Sequence, residues 1–67
     1  MGNRIKAERA LVNMTQKQLA EKIGVSEPTM AKWENSIDDA PVSKVRAIAE
    51  VFGCSVSYIL GLTEVRT

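Results

Sequence analysis

The 67-residue chain has no histidine, a single cysteine and no apolar run near the roughly 18 residues that a membrane span requires. Without histidine or a second cysteine, the sequence offers no cluster of zinc ligands and no internal disulfide. We interpret Cys54 as a small side chain packed partly in the core, which fits a reducing compartment. The charged N-terminus lacks the apolar segment of a signal peptide, so a cytoplasmic protein is expected.

The sequence also lacks recognisable catalytic machinery. No nucleophile has an evident base beside it, and the glycines at 24, 53 and 61 are spaced as helix ends rather than as a phosphate-binding loop. A chain this short has little room for a pocket of several hundred Å³. We therefore predict a non-enzyme with no cofactor and no small-molecule substrate. One domain is expected over residues 1–67, with an ordered core over about residues 3–62 and a frayed tail over 63–67.

Strong positive charge, which nucleic-acid-binding domains often carry, is missing as well. Nine basic and eight acidic residues leave a net charge of +1. The total charge thus gives little support for DNA binding, and any such function has to be argued from the pattern of residues.

Turn signals and apolar periodicity predict an all-α fold of five short helices. The first is predicted over residues 3–12, with Glu8 on a charged face and Ile5 and Val12 on an apolar stripe. A loop is predicted over residues 37–41, and a short fifth helix follows residue 55. The fourth helix is the clearest, because its apolar residues fall at helical spacing: Val45, Ile48, Ala49 and Phe52.

The second and third predicted helices are joined by a short turn that contains glycine. Thr15 and Gln18 form a capping-box pattern at the start of the second helix, and Gly24 ends it. Ser26 caps the third helix, with Pro28 in its first turn. This is the geometry of a helix-turn-helix, in which the first helix braces on the phosphate backbone and the second enters the major groove.

The order of residues in this region is more specific than its geometry. Three groups stand out at fixed spacing: Thr15-Gln16-x-x-Leu19-Ala20, Gly24-Val25-Ser26 and Trp33-Glu34-Asn35. In this combination the chain resembles the helix-turn-helix family of the Cro and lambda-type phage repressors over about residues 3–62. The resemblance implies a five-helix lambda-repressor-like domain that acts as a sequence-specific transcriptional regulator of the Cro type, as in phage lysogeny switches.

The resemblance also implies roles for individual residues. Gln16 matches a glutamine that bonds a phosphate and braces the recognition helix, while Thr29 and Lys32 lie where the family reads base edges. Arg9 and Glu34 resemble an internal ion pair that ties the first helix to the third. Trp33 is predicted to lie in the core with Met30. The full set of expected DNA-binding residues is Gln16, Lys17, Ser26, Glu27, Pro28, Thr29, Lys32 and Asn35.

One region departs from the family pattern. From residue 26 to residue 40, Lys32 is the single base among four acids, which gives a local charge of −3. Family members commonly carry lysine or arginine just after the recognition helix, where Asp38 and Asp39 stand here, and phosphates repel carboxylates. An alternative is therefore an anti-repressor that binds a partner repressor through Glu27, Asp38 and Asp39. A toxin-system regulator is a third alternative.

A DNA-binding regulator of this size is expected to bind double-stranded operator DNA as a homodimer, since one helix reads only a half-site. The sequence suggests a self-complementary contact near the C-terminus, where core packing plus a frayed tail is the alternative. The residues proposed for that contact are Val56, Tyr58, Ile59, Leu62 and Val65.

Overall fold

The computed structural model describes residues 3–66, which form five α-helices and one short 3₁₀ turn, with no strand among them. The all-α, five-helix prediction is confirmed. None of these helices is long and apolar enough to cross a membrane. The elements are α1 (Ile5–Leu11), α2 (Gln16–Ile23), α3 (Glu27–Asn35), the 3₁₀ turn (Ile37–Asp39), α4 (Val42–Phe52) and α5 (Val56–Ile59).

The core takes one fully buried large side chain from each of the five helices. These five residues are Ile5, Leu19, Met30, Ile48 and Ile59. Trp33 and Phe52 extend the same cluster and are also buried. Because every helix contributes to a single cluster, the positions of α2 and α3 depend on α1, α4 and α5 as well as on each other.

The local signals that separate α2 from α3 are all present in the structure. The Thr15 hydroxyl accepts a hydrogen bond from the Gln18 amide at 3.0 Å, and the Gln18 side chain accepts one from the Thr15 amide at 2.9 Å. Gly24 has a φ of 77°, a left-handed conformation that is cheapest for glycine. The Ser26 hydroxyl accepts from the Thr29 amide at the start of α3. The predicted helix-turn-helix boundaries are confirmed.

The prediction for α1 is wrong in two places. The helix ends at Leu11, because Asn13 adopts a positive φ of 54° and the Met14 amide bonds back to the Arg9 carbonyl. Val12 therefore leaves the apolar stripe and is 56% exposed. Glu8, expected on the charged face, is 3% exposed and lies in the interior.

Two stretches predicted as irregular are held by specific contacts. Residues 37–39 form the 3₁₀ turn, with Ile37 packed against the core. In the segment predicted as a frayed tail, the Arg66 guanidinium donates to Glu8 at 2.8 Å and to the Phe52 carbonyl at 2.6 Å. Residue 67 lies outside the described residues. The sequence did not show these contacts because they join positions up to 58 residues apart.

The dimer patch suggested near the C-terminus needs one correction. Ile59 is fully buried in the core and cannot contact a second molecule. Tyr58 is half-buried, and the Arg4 guanidinium lies 4.4 Å from the centre of its ring. Leu62 and Val65 are each 64% exposed.

Candidate nucleic-acid interface

Helix α3 has one face in the core and the other in solvent. Met30 and Trp33 point inward, and Thr29 is half-buried at the edge of the two faces. The remaining α3 positions predicted to contact DNA, together with the cap residue, are exposed: Ser26, Glu27, Pro28, Lys32 and Asn35. The structure therefore leaves all five of these side chains accessible from solvent.

A nearly buried ion pair joins α1 to α3. The Arg9 Nε donates to Glu34 Oε2 at 2.7 Å and Nη2 donates to Oε1 at 2.9 Å, a bidentate arrangement. The third Arg9 donor reaches the Met14 carbonyl at 2.9 Å. The side chains are only 13% and 6% exposed. One guanidinium thus links α1, the turn before α2 and the last turn of α3.

Gln16 connects α2 to the same carboxylate. Its Nε2 donates to Glu34 Oε1 at 3.2 Å, and the side chain is half-buried. An amide nitrogen has two hydrogens, so this bond uses one of the two donors. Gln16 is the first residue of α2, and Lys17 beside it is exposed. The glutamine amide is held in place by a residue of α3 that is itself held by α1.

At the start of α3, the predicted reading residue Thr29 is fixed by its neighbour. Its hydroxyl oxygen lies 2.8 Å from the Ser26 hydroxyl, and the Ser26 oxygen also accepts from the Thr29 amide at 3.3 Å. The cap of the helix and the threonine side chain are therefore one hydrogen-bonded unit.

The charge pattern around α3 contains a contact that the sequence did not reveal. The Lys32 ammonium lies 3.5 Å from Asp39 Oδ2, and both side chains are largely exposed, at 65% and 70%. Within residues 3–66, Asp38 and Glu27 form no ion pair. Of the two aspartates that follow α3, Asp39 is therefore in an ion pair, whereas Asp38 has none with the described residues.

Sequence reasoning also missed two residues that position the helix-turn-helix. Lys44 Nζ donates to the Ile23 carbonyl at the end of α2 at 2.9 Å. Asn3 Nδ2 donates to the Trp33 carbonyl at 3.0 Å near the end of α3. Both bonds join residues at least 21 positions apart, and no local spacing signals them.

Comparison with known proteins adds independent findings. A family model described as helix-turn-helix matches residues 5–59. The chain is 36% identical over 61 residues to the uncharacterised HTH-type transcriptional regulator YobD of Bacillus subtilis, covering 91% of this chain and 54% of YobD. It is 39% identical over 59 residues to the uncharacterised HTH-type transcriptional regulator MJ0272 of Methanocaldococcus jannaschii, covering 88% and 89%. The chain spans about half the length of YobD and other curated relatives that it matches.

Among solved structures, the P22 c2 repressor in complex with a synthetic operator superimposes with a TM-score of 0.80. The match has 28% sequence identity and covers 90% of this chain and 91% of that chain.

Proposed function

The chain belongs to the helix-turn-helix family, and we propose that it is a sequence-specific DNA-binding transcriptional regulator whose α3 enters the major groove of an operator. The observation that carries this proposal is the likeness, over nine-tenths of the chain, to a repressor whose structure contains its operator. The exposed face of α3 supports it, because that face holds the residues expected to meet base edges.

Two kinds of contact are assigned to this surface. Gln16 bonds a phosphate with its remaining amide hydrogen, and Lys17 and Asn35 make further phosphate contacts that set the position of α3. The base edges are read from α3, with Thr29 and Lys32 as the main readers. Ser26, Glu27 and Pro28 complete the groove-facing set.

The regulator acts as a homodimer on two half-sites about one helical turn apart, because a single α3 reads only a few base pairs. The contact between copies involves the exposed Leu62 and Val65 together with the half-buried Val56 and Tyr58. The anti-repressor alternative is not favoured. The known relatives are named as transcriptional regulators, and Asp39 of its proposed acidic surface is already paired with Lys32.

The test begins with an operator selected by the purified chain from random-sequence duplexes. Fluorescence anisotropy then compares that operator with a scrambled duplex across about 50 to 200 mM salt. We expect selective binding that weakens as salt rises. A folded chain that selects no sequence and binds both duplexes alike would overturn the proposal.

Two variants separate the assigned roles. Thr29→Ala combined with Lys32→Ala should remove the preference for the operator, whereas Gln16→Ala should weaken binding to both duplexes about equally. Lys6→Ala, a change at an exposed position of α1, is the control and should leave both affinities close to wild type. Unchanged operator preference in the double variant would show that the reading face is misassigned.

A further inference from the structure

Helix α3 and the turn that follows it carry little positive charge for a segment proposed to face DNA. Residues 26–40 contain Lys32 and four acids, and Glu34 is neutralised inside the protein by Arg9. Among the exposed residues of this segment, Lys32 is therefore the one base beside three acids, Glu27, Asp38 and Asp39. Its ammonium lies 3.5 Å from the Asp39 carboxylate. The single cation of residues 26–40 is thus paired with an acid of the same segment.

The position of Asp39 is set by packing. The 3₁₀ turn follows α3 directly, and the Ser36 amide donates to the Lys32 carbonyl at 2.8 Å. Ile37 and Ala40 flank the two aspartates, and both pack against the core. The Ala40 amide donates back to the Ile37 carbonyl at 3.0 Å. The backbone that carries Asp39 is thus anchored on both sides.

Asp38 provides an internal comparison. It occupies the same anchored turn and carries the same charge, but it forms no ion pair with any residue in 3–66. Both aspartates repel phosphates, whereas only Asp39 contacts Lys32. The two positions therefore separate the general effect of negative charge from the effect of pairing.

We propose that Asp39 is a specificity-determining residue, which through its ion pair with Lys32 suppresses binding to non-operator DNA. The proposal rests on the DNA-binding function proposed above. Non-specific affinity comes from lysines and arginines that neutralise phosphates and release counterions. A lysine paired with Asp39 contributes less to that effect than a free lysine, because a phosphate has to compete with a carboxylate for the same ammonium.

The ion pair between Lys32 and Asp39 can be broken when the protein binds its operator. Both partners are exposed, and exposed ion pairs are weak. A guanine in register with Lys32 offers two acceptors, O6 and N7, in fixed positions. The operator can therefore draw Lys32 away from Asp39, while a phosphate at an arbitrary position gains less. Discrimination arises from the competition rather than from a direct contact between Asp39 and DNA.

The experiment compares Asp39→Asn with Asp38→Asn, using the selected operator and the scrambled duplex over the same salt series. Both changes remove one negative charge. We expect Asp39→Asn to bind the scrambled duplex more tightly than Asp38→Asn, with a salt dependence that is steeper by up to about 0.9 in the log–log slope, the value for one more neutralised phosphate. Its ratio of scrambled to operator Kd should fall below that of Asp38→Asn.

A double-mutant cycle with Lys32→Ala isolates the pair. In the Lys32→Ala background, Asp39→Asn and Asp38→Asn should raise affinity for the scrambled duplex equally, because no ammonium remains to be released. If the two variants already behave alike with Lys32 present, or if Asp39→Asn keeps its larger effect without Lys32, the proposal is overturned. These outcomes leave the DNA-binding function standing, whereas a wild-type chain that selects no operator removes both proposals.

Discussion

Adjacent residues of α1 form ion pairs in two different regions of the molecule. Arg9 joins the helix-turn-helix through Glu34, and both side chains are nearly buried, at 13% and 6% exposed. Glu8 is as deeply buried, at 3%, but its partner Arg66 lies at the C-terminal end and is 48% exposed. Successive helix positions point about 100° apart, which explains why neighbours reach different parts of the fold.

The two ion pairs differ in how their arginines are bonded and in how far water can reach them. Arg9 makes two bonds to its carboxylate and is shut away from water. Arg66 makes one bond to Glu8 and others to the carbonyls of Phe52 and Gly53 at the end of α4. The hydrogen bond that Arg66 donates to the Glu8 carboxylate raises the pKa of Arg66, because it stabilises the charged guanidinium. The comparison indicates that the helix-turn-helix depends on a pair closed to water and the C-terminal half on a pair open to water.

The largest effect is expected from Arg9→Met. This change leaves Glu34 buried without a cation and removes the link between α1 and α3, so unfolding free energy should fall by about 3–5 kcal/mol. Urea denaturation measures the loss, with Lys6→Met at an exposed position of the same helix as the control. If Arg9→Met does not fold, Arg9→Lys, which keeps the charge, takes its place in the denaturation experiment. A loss no larger than that of Lys6→Met would contradict the closed-pair interpretation.

Arg66→Met should have the second largest effect. Glu8 again loses its cation, but water can approach from the side that Arg66 leaves open. The melting temperature should fall less than in Arg9→Met and more than in Arg46→Met, which alters an exposed arginine of α4. Operator affinity of the folded protein should stay close to that of the Arg46→Met control. A loss equal to that of Arg9→Met would end the distinction between the two pairs.

Lys44 joins the two halves, and its removal should cost less. Lys44→Met deletes the bond from the ammonium to the Ile23 carbonyl at the C-terminal end of α2, where a cation also interacts favourably with the helix dipole. We expect a loss of about 0.3–1 kcal/mol in the free energy of unfolding. Arg46→Met, two residues along the same helix, is again the matched control. Equal stability of the two variants would show that this bond adds nothing.

The smallest effect concerns Cys54, a partly buried thiol in the C-terminal half. Burial raises the pKa of its thiol, and the negative charge of Glu8 raises it further. Because the thiolate is the reactive form, alkylation by iodoacetamide should reach its half-maximal rate at a higher pH in the folded chain than in urea. Limited access lowers the rate at every pH without moving that midpoint. Coincident pH profiles would contradict the buried environment.

Local sequence signals were sufficient for the helix-turn-helix. The Thr15–Gln18 capping box, the glycine at 24 and the Ser26 cap act within a few residues, so their outcome depends little on the rest of the chain. The apolar spacing of α4 likewise identified its buried face. The exposed face of α3 could be predicted because helical periodicity separates the buried Met30 and Trp33 from the positions around them.

Other features could not be read from the sequence because they depend on distant partners. The sequence around Glu8 predicts an exposed helix residue, and its contact with Arg66 comes from the other end of the chain. The early end of α1 depends on the positive φ of Asn13, and as a result Val12 is exposed instead of lying on the apolar stripe. The sequence does not distinguish Asp39 from Asp38, and only the 3₁₀ turn determines that Asp39 contacts Lys32.

The sequence by itself determined helices α2 to α5, the caps of α2 and α3 and the face that α3 turns to solvent, since propensity and periodicity operate over one or two turns. Only the tertiary structure decided that Lys32 pairs with Asp39 and Glu8 with Arg66. An ion pair depends on two side chains meeting across 7 residues, as for Lys32 and Asp39, or across 58, as for Glu8 and Arg66. The packing of five helices around one core fixes those distances, and no local pattern encodes them.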